Sequence, residues 1–258
     1  MTDDRPKNRL ARTLATFALA LALSAALLVA LAGPGNRFGW WHFRRSFELM
    51  QWGAYAGIAA ALLGAAAAVL AKRGRPLTVG VIAVLIGAVA FFLPFNWRRG
   101  ARQYPPIHDI TTDLQNPPEL AYSRAMRDSV EGMNTWRYEG DSIAAQQRKA
   151  YPDIAPVLLA MPLDSAYGVA YRTVQQMGWE VTAASRPERR IEAAATTAWF
   201  GFVDDVVVRV TPGSGIARVD VRSVSRVGRG DVGANAKRIR DFVALLKKNA
   251  GSAVAEAG

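Results

Sequence analysis

The sequence predicts a membrane-anchored α+β protein: three N-terminal transmembrane helices, then a four-stranded antiparallel sheet flanked by helices. Three observations carry that reading. Long uncharged apolar runs fill the first 97 of the 258 residues. None of those runs has a polar face, as a helix on the surface of a soluble protein would. Beyond them, alternation of apolar and polar residues and turn signals take over.

The first run, TLATFALALALSAALLVALA from Thr13 to Ala32, holds twenty residues without a charge. At 1.5 Å per residue it spans ~30 Å, the thickness of a bilayer's hydrocarbon core. The second, Gln51 to Ala71, is Ala-rich, with Ile58, Leu62, Leu63, Val69 and Leu70 adding apolar weight. The third, Leu77 to Phe95, is rich in Val, Ile, Leu and Phe. Small residues recur at four-residue spacing in Gly53, Gly57 and Ala61, in Ala60, Gly64 and Ala68, and in Ala83 and Gly87. Such spacing lets helix backbones approach closely, which predicts packing among the three helices. Trp40, Trp41, Phe43, Phe47 and Trp52 crowd the first connection, and Trp97 and Tyr104 follow the third run, an aromatic pattern suited to one membrane–water interface.

Basic residues hardly vote on orientation. Arg5, Lys7, Arg9, Arg12, Lys72, Arg73 and Arg75 fall on one side, and Arg37, Arg44, Arg45, Arg98, Arg99 and Arg102 on the other. A basic start followed by an apolar run ending Ala30-Leu31-Ala32 resembles an export signal or an uncleaved signal anchor, and either puts the next loop outside. Three crossings then leave the C-terminal part outside as well. The expected address is the bacterial inner membrane, multi-pass, with a periplasmic soluble domain.

The divisions expected are a transmembrane region over 1–97, with helices near 13–32, 51–71 and 77–95, and a Pro-rich stalk over 98–118. A soluble α+β domain follows over 119–250, and a flexible tail over 251–258. Pro105, Pro106, Pro117 and Pro118 suggest the extended stalk. Asp141 is placed to cap a helix from Ser142 to Ala150, ended by Tyr151-Pro152. Asp164 opens a second helix, striped by Ala166, Val169, Ala170, Val174 and Met177 and closed by Gly178. Strand-like runs cover Trp179–Ala184, Arg190–Phe200, Val206–Val210 and Ile216–Val224. The first pair flanks Arg186-Pro187-Glu188 and the second flanks the turn from Thr211 to Gly215. In the last strand Val219 and Val221 alternate with Arg218, Asp220 and Arg222, which predicts one buried and one charged, wet face. A final helix near Ala234–Asn249 carries Ile239, Phe242, Val243 and Leu246 on its core side.

Composition narrows the chemistry. With no cysteine there is no disulfide framework, thiolate nucleophile or cysteine-ligated metal. The net charge of +11 owes much to basic residues beside the apolar runs, where anionic lipid headgroups would meet them, so no nucleic-acid partner is expected. No cofactor and no metal is expected either. The lipid bilayer is the expected partner, together with an anionic ligand or a membrane-protein partner.

The densest polar cluster runs from Ser223 to Asn235 and continues as Lys237, Arg238 and Arg240 on a helix. Free backbone N–H groups and guanidinium forks at such a helix entrance suit a phosphate, a lipid headgroup or a carboxylate. Arg226, Arg229, Asp231, Asn235 and Arg238 are the ligand-binding residues on that reading. The alternative is architectural: Asp231 caps the helix, and Arg226 and Arg238 pair with Asp204, Asp205 or Asp231. A second cluster, Asp204 and Asp205 with His108, suggests a metal-assisted hydrolase, since paired carboxylates bind a hard cation or share acid and base duties. Adjacent carboxylates at a strand entrance also make turns and salt bridges. The leading expectation is therefore a non-enzymatic envelope protein whose soluble domain binds an anionic partner near the membrane. The alternatives are that hydrolase and a purely structural subunit of a membrane complex.

Four segments, HDITTDLQNPP from His108, YPDIAP from Tyr151, WFGFVDDVVVRV from Trp199 and VDVRSVSRVGRGDVGANAKRIRDF from Val219, resemble the bacterial family called domain of unknown function 1499. The resemblance spans roughly residues 104–248. It implies a membrane-attached or exported protein and carries no activity, substrate or cofactor with it.

Overall fold

The computed structural model describes residues 5–213 and 216–254. The chain divides into two compact units, Met1–Arg102 with Ala198–Gly201, and Gln103–Thr197 with Phe202–Gly258.

The first unit is built on three helices, α1 (Arg5–Arg37), α2 (Phe43–Ala71) and α3 (Arg75–Ala101), each long and apolar enough to cross a membrane. They run past the apolar segments because the flanking basic and aromatic residues are themselves good helix formers or tolerate the helix ends. His42 caps α2, its Nδ1 accepting from the Arg44 amide, and Lys72 closes it in a left-handed conformation. Pro76 stands in the first turn of α3, where its missing N–H costs nothing.

The buried seams of these helices follow one rule. On α1 they are Ala11, Ala15, Ala18, Ala22, Ala25, Val29 and Ala32; on α2, Met50, Gly53, Gly57, Ala60, Gly64, Ala67 and Ala71; on α3, Gly80, Ala83, Gly87, Ala90 and Pro94. The steps alternate between three and four residues, the period of left-handed helix packing. Small residues at that period bring backbones together. A methyl group on Gly64 would stand 2.6 Å from the Gly80 carbonyl oxygen, and one on Gly57 2.7 Å from that of Gly87. The four-residue spacing read from the sequence is thus spent between α2 and α3, with Gly53 turned instead toward Ala25 and Val29 of α1. The large side chains point the other way: Phe17, Leu27, Leu62, Val69, Leu85 and Leu93 are exposed.

The second unit holds a six-stranded antiparallel sheet, not the expected four: β1 (Asp109–Thr111), β2 (Val157–Leu159), β3 (Glu180–Ser185), β4 (Arg190–Thr196), β5 (Val203–Pro212) and β6 (Ala217–Ser225). The order is β1-β6-β5-β4-β3, and β2 also pairs with β6, so β1 and β2 lie along the same edge. At three residues each, the two extra strands are too short to show periodicity. β1 lies in the stretch read as a stalk, where Ile107 and Ile110 are fully buried. The tip of the β5–β6 turn, Ser214 and Gly215, lies outside the described residues.

Three helices with ranges Asp141–Ala150 (α5), Leu163–Gln176 (α6) and Ala234–Ala250 (α7) follow a short one, Arg124–Ser129 (α4). Asp141 and Asp164 stand in the first turns of α5 and α6 and not at their caps, which are Gly140 and Pro162. The inward stripes of α6 and α7 meet Ile191, Ala193, Val206, Val208, Val219 and Val221 in one core. Trp179 stacks on Phe242 at 5.6 Å there. The chain past α7 makes a short 3-10 turn, Gly251–Ala253, and Val254 bridges to Leu159, so residues 251–254 join the sheet edge; the rest of the expected tail lies outside the described residues.

The opposite sheet face corrects the sequence reading most. Asp220 and Arg222 are 0% and 1% exposed, so the face is charged yet dry at those positions, with Arg218 half-buried at its end. The segment from Thr112 to Gly140, with α4, covers it. Leu120, Val207 and Val224 form a small apolar patch beneath, backed by Trp136.

Candidate functional site

The polar residues of the second unit fall into two layers, one on each sheet face. Consecutive strand residues point to opposite faces. Asp204 and Asp205 on β5 are therefore parted by the backbone.

On the helix face, Asp204 takes an ion pair from Arg238 at 2.6 Å. Arg238 also donates to Ser223 Oγ and to Asn235 Oδ1. Asn235 is fully buried and its amide donates to the His108 carbonyl and to Ser225 Oγ, each at 2.9 Å. Asp231 closes the entrance of α7, accepting from the Gly233 amide at 2.8 Å and the Asn235 amide at 2.7 Å. Burial pushes its carboxyl up, against the pull of those two amides. Gly233, at φ 77°, leaves room for the Tyr104 ring, which an added methyl would strike. The helix N-terminus is thus already filled by a carboxylate of its own chain.

On the covered face, Asp205 accepts from Arg127 at 2.7 Å and from Arg226 at 2.7 Å. Arg127 is 4% exposed, and burial lowers its pKa against the raising effect of Asp205. Its remaining N–H groups go to the carbonyls of Asn134 and Val224. Arg222 makes a two-pronged pair with Asp109, at 2.9 and 2.7 Å, and donates to the Pro118 and Trp136 carbonyls. Asp220 and Asp113 are shared by Arg209 and Arg218. Glu192 on β4, 1% exposed, accepts from the amides of Ala121, Tyr122 and Ser123 and from Ser123 Oγ. These arginines and the glutamate tie the cover, α4 and the irregular stretches beside it, down to the strands, satisfying backbone groups no ladder reaches.

Of the residues expected to bind an anion, Arg226, Asp231, Asn235 and Arg238 are engaged in these internal contacts. Arg229 is exposed, in the glycine turn between Gly228 and Gly230. Of the acidic alternative, Asp204 and Asp205 face apart, and His108 enters through its main chain, its carbonyl accepting from Ser225 and Asn235. Among the described residues no group of three or more His, Asp or Glu side chains is placed to hold a metal ion. Sequence reasoning missed Arg127 and Glu192; Asp109 and Asp113 stand out in the sequence beside His108 as a weak metal signal, and in the structure each holds an arginine. The available signal was DVVVRV followed by VDVRSVS, charged residues on one face of paired strands, four apart in the first and two apart in the second, which is compatible with solvent or with a cover.

Two tyrosine hydroxyls, Tyr138 and Tyr151, are buried without a hydrogen-bond partner among the described residues. Burial raises both to about 12 from the ordinary 10.0, with Asp109 adding to it at Tyr138 and Asp231 at Tyr151.

Fold and network define a class: an antiparallel α+β domain covered on both faces and bound together by arginine–carboxylate pairs, in a chain that begins with three candidate membrane spans. The family described as a protein of unknown function, DUF1499, matches residues 109–246, and the chain belongs to it. No curated protein matches the chain. The family's match starts at β1 and ends within α7, so it takes in both polar layers.

Proposed function

We propose that this chain is a multi-pass protein of the bacterial inner membrane whose soluble domain, on the periplasmic side, works by binding and not by catalysis. The observation that carries it is the inverted character of the first unit, where alanine and glycine fill the seams and Phe17, Leu27, Leu62, Leu85 and Leu93 face outward. In water that exterior would be a large exposed apolar surface; in a bilayer it is matched to its solvent. The alanine-rich seam of α1 supports a first span that is retained as an anchor, since Ala18 and Ala22 pack with Ala60 and Ala83.

The binding reading rests on what the carboxylates do. Asp204, Asp205, Asp109 and Asp220 each hold an arginine, which suits a rigid scaffold better than proton transfer. An anionic ligand, lipid headgroup or partner surface would meet Arg229 first. Arg226 and Arg238 act behind it as supports.

Alkaline carbonate washing of membranes from cells making the full chain tests the anchor; the chain stays in the pellet, and its release into the wash would end the reading. For the site, Arg229→Ala is expected to leave folding intact and weaken retention of an anionic partner. Arg226→Ala is expected to lower the melting temperature. If Arg226→Ala is thermally silent and Arg229→Ala is not, the assignment of roles is wrong.

A further inference from the structure

We propose that the first unit holds one anionic phospholipid of the surrounding bilayer, an acyl chain seated between α2 and α3 and the phosphate against Arg98. The proposal rests on the membrane reading above and adds a specific occupant to it.

A cavity of about 360 Å³ opens between the N-terminal half of α2 and the C-terminal turns of α3. Ala54, Phe91, Phe95 and Met50 make its apolar wall, and Arg98 lines it at one end. Small residues create the space: Ala54 stands on α2 where a larger side chain would fill it, and Pro94, buried in α3, removes one amide from the helix ladder beside it. Trp97, stacked on Phe47 at 5.6 Å, closes it toward a second apolar cavity of about 400 Å³ lined by Val29, Leu93 and Trp199. The wall has a polar fringe as well, Gln51 donating to the Tyr55 hydroxyl at 3.0 Å.

Charge selects the occupant. The Phe47–Trp97 stack brings the start of α2 beside the end of α3. Those ends carry Arg44, Arg45, Arg98, Arg99 and Arg102, with Glu48 the one carboxylate among residues 37–102. Glu48 is taken by Arg45 at 2.7 Å. An apolar slot that ends in a guanidinium, beside further arginines with no carboxylate partner among the described residues, fits a chain with a negative head. A zwitterionic lipid would present its own cation to the same cluster.

Native mass spectrometry of the full chain, purified in detergent and titrated with phosphatidylglycerol or phosphatidylcholine, tests this. Phosphatidylglycerol is expected to bind preferentially. Arg98→Gln is expected to weaken it by about fivefold, the effect of one interfacial arginine worth about 1 kcal/mol. Ala54→Phe, which fills the slot, is expected to abolish tight binding of both lipids. Equal retention of the two lipids by the unaltered chain would overturn the proposal, and so would indifference of phosphatidylglycerol binding to both substitutions. So would a dimer whose formation excludes lipid from the slot. Arg98 is exposed, so its substitution does not endanger folding and reads out even if Ala54→Phe does not fold. The carbonate wash comes first: a chain that leaves the membrane there refutes the anchor itself, whereas a membrane-retained chain without lipid selectivity refutes this site alone.

Discussion

Arg222 shows what a single side chain holds in this domain. Its guanidinium, 1% exposed, neutralises Asp109 and ties down the Pro118 and Trp136 carbonyls. Truncating it strands a buried carboxylate, which costs about 3–5 kcal/mol. Arg222→Ala is thus expected to lower the melting temperature of the full chain sharply, whereas Arg222→Met with Asp109→Leu recovers most of the loss. Thermal unfolding followed by tryptophan fluorescence distinguishes the two. Tyr138 and Tyr151 make a pH prediction of defined sign. Their folded pKa, about 12, lies above the unfolded 10.0, so the folded state keeps protons the unfolded one gives up. The stability this provides is complete below pH 10 and falls as pH rises toward 12. Phenolate absorbance should show these two ionising late, together with alkaline unfolding, and Tyr138→Phe with Tyr151→Phe should flatten the alkaline loss. None of these roles was legible from residue type alone. An arginine between valines on a strand reads the same whether water or another part of the chain lies over it.

At the scale of elements, the sequence showed the three long helices, α5, α6, α7 and strands β3 to β6, because each carries an apolar pattern long enough to count or, for α5, a start and a stop signal. It hid β1 and β2, three residues apiece, and the cover over the charged face, since residues 112–140 have no period at all. The helix seams were half legible. Small residues four apart stand out as pairs, whereas the three–four alternation, Gly57, Ala60, Gly64, Ala67, is visible only when followed along the whole helix. That alternation predicts which glycines are indispensable. A Cβ added to Gly87 would run into the Gly57 carbonyl, and Gly87→Leu is expected to separate α2 from α3 and lower the thermal stability of the detergent-solubilised chain by several kcal/mol. Gly100 has nothing within 4 Å of where a methyl would stand, and Gly100→Ala should leave stability unchanged or raise it slightly. Equal effects of the two would contradict the seam.

For the whole molecule, three crossings would put the C-terminal domain on the side opposite the N-terminus. The absence of cysteine makes that side measurable without background labelling. Ser252→Cys, past α7, and Arg73→Cys, between α2 and α3, are both exposed positions. With the domain outside, a membrane-impermeant maleimide applied to cells with a permeabilised outer membrane labels Ser252→Cys and spares Arg73→Cys until the cells are broken. The reverse pattern would turn the protein over. The candidate site was legible as a dense polar stretch, and its meaning was not, because pairing across strands joins residues as far apart in sequence as Asp109 and Arg222.

Glu192 gathers the amides of Ala121, Tyr122 and Ser123, three consecutive groups in a stretch with neither helix nor strand of its own. Amides in such a stretch ordinarily trade their hydrogens for deuterium within seconds, since no ladder has to open first. Here each is sequestered by a buried carboxylate in the middle of a sheet, and release requires the cover to lift. In heavy water these three positions should keep their protons about as long as β4 does, and Glu192→Gln should let them go while β4 itself stays protected. The segment that looks most like a loop would then behave, in time, as part of the core.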